Sequence, residues 1–402
     1  MNDRTPVAAA TLAPPGRLAS LDAYRGFVML LMMGEVLRFC DVALARPASA
    51  VWNFLCYHQS HVEWAWGSLH DMIQPSFSFL VGVALPFSLA SRSAAGQSRA
   101  KLVGHAFWRA FLLVAIGIGL RSIGKPQTYY TFEDTLTQIG LGYGFLFLLG
   151  LRPVRDQVIA LGVVLVGYAA AFALYPAPGP GFDWAAVGVP ADWPHHPSGF
   201  AAHWDKNSNL AWAFDVWFLN LFPRETPFAY NGGGYATLSF IPTLGTMILG
   251  LLAGGVLRTG RSAQERVSLL VKAGLALIAL GALIGVLGLG PVVKRIWTPS
   301  FTLWSGGICL LFLAFFHQVL DRPGNTRWAF PLVVVGANSI AAYCADHLFR
   351  PFLEAGLLPQ QGAGVFRVFG DAYFPFTTGA AVLLVLWLIL HWMYRRRIFL
   401  RI

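Results

Sequence analysis

Ten stretches of roughly 20 mostly apolar residues recur along this chain, and they decide what it can fold into. They cover 24–40, 71–91, 104–121, 134–151, 157–175, 236–257, 268–290, 300–320, 330–349 and 376–394. A helix of that length crosses the hydrocarbon core of a bilayer, where every backbone amide must be paired within its own segment. The runs lack the ~10-residue alternation of a barrel strand, which excludes a β-barrel. Only 12% of the residues are charged, against about 25% in soluble domains. The expected fold is all-α: a polytopic membrane protein of about ten transmembrane helices.

The net charge of +10 invites a nucleic-acid reading, but its distribution speaks for topology. With the N-terminus inside, 19 of the 29 Lys and Arg residues fall on the inner side of the spans. Both termini are then cytoplasmic, in an inner (plasma) membrane of bacterial type, and no nucleic-acid partner is expected. Residues 1–16 are polar and rich in Ala and Pro, without a convincing cleavage site, and read as a disordered cytoplasmic tail. Residues 17–402 form the membrane domain. Cys40, Cys56, Cys309 and Cys344 show no metal-ligand spacing, so no metal is expected. Cys40 and Cys56 fall near the outer end of the first span, where thiols are the first expectation and a disulfide would need an oxidising periplasm.

Chemistry concentrates in one place. The segment 61–77 packs His61, Glu63, Trp64, Trp66, His70 and Asp71 against the start of the second apolar run. Titratable groups at the end of a membrane helix are expensive and usually functional. An imidazole such as His61 is suited to moving a proton near neutral pH, with His58 and His70 as competitors. Asp71 would either cap its helix or orient that imidazole. Glu35 and Arg38, three residues apart, would share a helix face as an ion pair, or leave Glu35 to meet a substrate amine or hydroxyl. Asp22 and Arg25 stand in the same relation at the inner end of the first span. Asn338, mid-span among small residues, would be interhelical glue or line a cavity. The connection 176–235 is too polar to cross the membrane, and its five tryptophans suit a cap at headgroup level or a platform for sugar rings.

Four segments carry a resemblance. Arg17-Leu-Ala-Ser20-Leu-Asp22-Ala-Tyr24-Arg25-Gly26 resembles R-L-x-S-x-D-x-x-R-G. His61-x-x-Trp64 with Gly67, Asp71, Pro75, Phe77 and Gly82 resembles H-x-x-W…G…D-x-x-x-P-x-F…G. Gly336-Ala-Asn338-Ser339-Ile340-x-x-Tyr343 resembles G-M-N-S-I-x-x-Y, and Tyr394-Arg395-Arg396-Arg397-Ile398-Phe399 resembles Y-R-K-K-I-F. In this order they resemble the heparan-α-glucosaminide N-acetyltransferase family of transmembrane acyltransferases. The resemblance implies transfer of an acetyl group from cytosolic acetyl-CoA to an amino sugar or glycan across the membrane, with His61 as the catalytic histidine. On that reading Asp71 and Glu35 assist His61, and Trp64, Asn338 and His58 line the acceptor site. Arg25, Arg17 and Arg109 would meet the phosphates of the donor. The lipid bilayer, a small-molecule or glycan acceptor and a second copy of the chain are the expected partners. The chain departs from the pattern at Glu35, where the family has Asn, and at Gln138, where it has Arg. The rival reading is a permease for a sugar derivative, in which the same polar groups form a translocation path.

Overall fold

The computed structural model describes residues 18–321, 327–356 and 363–400, and within them every regular element is helical. Helix α1 (Ala19–Met33) is followed by two short helices, α2 (Phe39–Ala45) and α3 (Ala50–Gln59). Then come α4 (Ile73–Ala94), α5 (Arg99–Ser122), α6 (Thr135–Gly150) and α7 (Val154–Leu174). A short helix, α8 (Leu210–Phe218), lies in the long connection to α9 (Phe240–Leu257). Next are α10 (Ala263–Val286), α11 (Pro299–Leu320), α12 (Phe330–Gly336) and α13 (Ser339–Gly356). One turn, α14 (Ala363–Phe366), precedes α15 (Phe374–Arg395).

Among the described residues seven helices are long and apolar enough to cross a membrane, or eight if the bent α12–α13 pair counts as one span. The chain is an all-α polytopic membrane protein, as its apolar runs imply. Two of the ten runs are shorter as helices than a full crossing. The 15 residues of α1 and the 16 of α6 rise about 22–24 Å, against a hydrocarbon core of about 30 Å.

The first run ends early for a local reason. After Met33 the backbone tightens into a 3-10 turn over Gly34–Leu37, and Arg38 adopts a left-handed conformation (φ 50°) that starts α2 in a new direction. The run 330–349 is likewise broken, with a 69° bend between Gly336 and Ser339.

Glycines set how closely the helices approach. A Cβ on Gly82 of α4 would lie 1.9 Å from the Met247 carbonyl oxygen of α9, and one on Gly250 of α9 would lie 1.9 Å from the Phe79 oxygen. Gly26 and Gly336 do the same for α1 against α12. In lipid, where apolar burial gives no net driving force between helices, such backbone contact is a main source of cohesion. It explains why a glycine stands at 82.

The loops 60–69, 123–134, 175–236 and 287–298 gather at one end of the bundle. Four of the five tryptophans of the long connection turn inward. Trp193 and Trp204 are buried with Phe172, Tyr168 and Val293, and Trp204 stacks on Phe172 at 4.3 Å between ring centroids. Trp184 and Trp212 pack against this cluster, and Trp217 is the exposed one. The connection is a cap with its own aromatic core.

Candidate active site

At that end of the bundle, two loops converge on Asp71. The segment 60–69 wraps its carboxylate, with Val62 N and Ser68 N donating to Oδ2 at 3.1 and 3.0 Å and Ser68 Oγ at 3.2 Å. Oδ1 faces His61 Nδ1 at 2.7 Å and Lys294 Nζ at 3.2 Å. Asp71 therefore does not cap its own helix. It anchors the loop and orients the imidazole. An ionised carboxylate only accepts, so it holds the proton on Nδ1 and leaves the His61 Nε2 lone pair free. No hydrogen bond reaches Nε2 among the described residues, and 39% of the His61 side chain is exposed.

The structure makes Lys294 the third member of the cluster. Its ammonium lies 3.1 Å from His61 Nδ1 and is 5% exposed. The loop that carries it is tightly built. Val293 N donates to Thr298 Oγ1 at 3.0 Å, Trp297 turns left-handed (φ 49°), and Thr298 caps α11 ahead of Pro299. Burial pushes the Lys294 ammonium below the usual lysine range, with the Asp71 charge opposing it. Burial also pushes the His61 imidazole down, the Asp71 hydrogen bond opposes this, and the Lys294 charge adds to it. The net effect keeps His61 a neutral base at pH 7. The signal for Lys294 was its place: Lys294-Arg295 is a cation pair in a short outer loop, against the positive-inside rule. Arg295 ties the same loops together, donating to Gly233 O at 2.8 Å and Val62 O at 3.2 Å.

Glu35 joins indirectly. It pairs with His70 Nε2 at 3.0 Å and with Arg350 at 3.3 Å, and the His70 and His61 rings lie 4.5 Å apart. The expected Glu35–Arg38 pair does not form. The left-handed turn at Arg38 takes the two side chains off a common face, and Arg38 faces Glu354 at 3.9 Å instead. Cys40 and Cys56 are disulfide-bonded, not free thiols, and pin α2 to the α3 helix that leads into His61.

Other sequence candidates have other posts. Trp64 is buried in the aromatic cluster against Trp193, so it supports the loop and does not face an acceptor. His58 accepts from Leu69 N at 3.1 Å, between the Phe54 and Tyr57 rings. Asn338 sits at the α12–α13 break, where it donates to Ile398 O at 2.6 Å and accepts from Leu400 N at 3.0 Å. It is glue for the C-terminal segment and is not brought to the His61 cluster. Arg25 faces Asp22 at 3.3 Å, ten residues or about 15 Å along the chain axis from Glu35. Arg109 is directed at Tyr143, with its guanidinium 4.8 Å from the ring centroid and 3.2 Å from the hydroxyl. Arg17 and the tail 1–16 lie outside the described residues. Gln138 donates to the Phe132 and Thr237 carbonyls at 2.6 and 3.2 Å and is fully buried, a structural role. No group of His, Cys, Asp and Glu among the described residues is arranged to hold a metal ion.

No family model matches the chain. It is similar to the heparan-alpha-glucosaminide N-acetyltransferase of Homo sapiens, 24% identical over 382 aligned residues that cover 85% of this chain and 54% of the relative. The protein of the same name from Mus musculus is 22% identical over 84% of the chain. The chain spans about half the length of the curated relatives it matches, and at this identity its likeness to them is that of a distant relative.

Proposed function

We propose that this chain is a transmembrane acyltransferase, in which His61 is the general base for an acceptor arriving at its own end of the bundle. The observation that carries the reading is the Asp71–His61 pair at 2.7 Å, with a buried Lys294 beside Nδ1 and Nε2 unengaged among the described residues. The similarity to two N-acetyltransferases over most of the chain supports the same class. The donor is an acyl-CoA, acetyl-CoA in the simplest case, presented from the opposite side. The acceptor is an amino sugar or a glycan hydroxyl.

The chemistry follows from the residues. His61 Nε2 takes a proton from the acceptor amine as its nitrogen attacks the thioester carbonyl. The C–N bond forms, the C–S bond breaks, and the departing thiolate recovers the proton from the imidazolium. Asp71 steadies that imidazolium, as the carboxylate does in Asp–His pairs generally. Lys294 balances the Asp71 charge and disfavours the imidazolium of the resting enzyme, so the base is ready before the acceptor arrives. Placing the acceptor in an oxidising, extracytoplasmic compartment is supported by the Cys40–Cys56 disulfide on the His61 side. The charge asymmetry agrees, since most Lys and Arg residues lie toward the opposite face.

Reconstitution in sealed vesicles tests the reading. With acetyl-CoA confined to one side and glucosamine to the other, N-acetylated sugar is expected on the glucosamine side and free CoA on the donor side. Passage of unmodified glucosamine with no thiol released would establish the permease instead.

A further inference from the structure

The site holds two carboxylate–imidazole pairs, and the acyl-transfer step uses only one of them. Asp71 Oδ1 faces His61 Nδ1 at 2.7 Å, and Glu35 Oε1 faces His70 Nε2 at 3.0 Å. The two rings lie 4.5 Å apart between centroids, tilted by 55°. Each carboxylate favours the proton on the nitrogen it faces, which leaves Nε2 of His61 and Nδ1 of His70 as lone pairs. No hydrogen bond reaches His70 Nδ1 among the described residues. The His70 side chain is buried, 5% exposed, whereas 39% of Glu35 is open. Arg350 takes the other Glu35 oxygen at 3.3 Å and is itself shared with Asp346 at 3.5 Å and Glu354 at 3.6 Å. Behind His61 the facing charges are Asp71 and Lys294. A buried imidazole held between a second imidazole and a half-open carboxylate has the layout of a proton store.

Proton balance calls for one. An amino acceptor arrives as an ammonium, since amines of the α-amino kind titrate at about 8. Two protons must leave that nitrogen, one to free its lone pair and one as the amide forms. The thiolate takes up only one of them. An ammonium and a thioester therefore give an amide, a thiol and one surplus proton. His61 Nε2 accepts one proton at a time, and the Lys294 charge disfavours its staying there. The imidazole has to be emptied between its two uses. At this ring separation the nitrogens are in reach of each other directly or through one water.

We infer that His70 and Glu35 store the first proton of the acceptor ammonium, received through His61, so that the site takes amines in their charged form. This role rests on the acyltransferase reading. The ammonium N–H bond breaks as the His61 Nε2–H bond forms. His70 Nδ1 takes that proton and holds it as an imidazolium paired with Glu35, which gives it up to solvent when the product leaves. The freed amine attacks the thioester, and its second proton passes through His61 to the departing thiolate. A hydroxyl acceptor carries a single proton and makes no use of the store.

The test is the pH dependence of CoA release from acetyl-CoA with glucosamine, on the whole protein in detergent. Wild type, His70→Ala and Glu35→Gln are compared, with melting temperatures taken on all three. Without the store only uncharged amine reacts, about a tenth of the acceptor at about pH 7. His70→Ala is expected to lose about tenfold in kcat/KM at about pH 7 and to approach the wild type about two pH units higher, where the amine is free. Added imidazole is expected to restore the rate at neutral pH. Glu35→Gln, which keeps the shape of the side chain, is expected to show the same pH-dependent loss, and it carries the test if His70→Ala does not fold. Loss by the same factor at every pH, or an unchanged profile in both variants, overturns the store and leaves the acyltransferase reading standing. No CoA release by the wild type at any pH removes that reading and the store with it.

Discussion

Replacing Asp71 by Asn takes one negative charge from a carboxylate that accepts five hydrogen bonds, from His61, Lys294, Val62 N, Ser68 N and Ser68 Oγ. Asparagine has the same shape but one acceptor oxygen and an NH2 group, so whichever way it turns, donors meet donors. Lys294, 5% exposed, loses its counter-charge. Breaking a buried pair by removing one partner costs about 3–5 kcal/mol, and the lower end suits a site that opens to solvent on the His61 side. The larger effect is on rate. Without the carboxylate the Nδ1–H tautomer is no longer favoured, and Asp→Asn in such a pair lowers turnover about 10⁴-fold. Thiol release from acetyl-CoA should fall by about 10³–10⁴, and thermal unfolding in detergent should show a loss of about 3 kcal/mol. Adding Lys294→Met removes the orphaned ammonium, so the double variant should regain most of the stability and none of the rate. If the Asn variant keeps turnover within about tenfold of wild type, or if the double variant recovers it, Asp71 does not orient a base.

Further outcomes follow from the site and from the helix packing. Because burial and Lys294 hold the imidazole down, kcat/KM should rise with pH through a midpoint below the usual histidine value of about 6.5. Lys294→Met removes a cation that disfavours the imidazolium, so the pH–rate profile should move to higher pH; a profile that stays put contradicts the assignment. Reducing the Cys40–Cys56 bond, which closes a loop of 16 residues, should cost about 3 kcal/mol and expose the turn at 46–50 to proteases, seen as a new cleavage product on gels. Gly250→Val should prevent recovery of monodisperse protein, because its Cβ would lie 1.9 Å from the Phe79 oxygen. Gly119→Ala, with nothing within 4 Å, should leave the melting temperature unchanged.

The all-α membrane class was legible because apolar run length is a direct requirement of the bilayer. His61 and Asp71 were legible for a related reason: ten residues apart, both stand where a titratable group is costly. Lys294 was not, because it comes from a loop 223 residues away, and only the folded bundle brings it to Asp71. The Glu35–Arg38 pair was misread because a regular helix was assumed across Gly34, where the chain tightens and then turns left-handed. Asn338 was legible as glue between segments but not as a residue at a helix break, since Gly336-Ala-Asn338 fits a continuous span in composition. The tryptophans of the long connection gave no hint of direction. Whether an indole faces headgroups, sugar or its own core depends on what lies under it, here Phe172 and Val293.

The most direct measurement is thiol release on mixing purified protein with acetyl-CoA and glucosamine, wild type beside His61→Ala, with melting temperatures taken on both. The account predicts acceptor-dependent CoA release by the wild type, and its loss in a His61→Ala variant that melts at the same temperature. Release by His61→Ala at the wild-type rate would contradict it, since the proton of the acceptor would then be taken by another group.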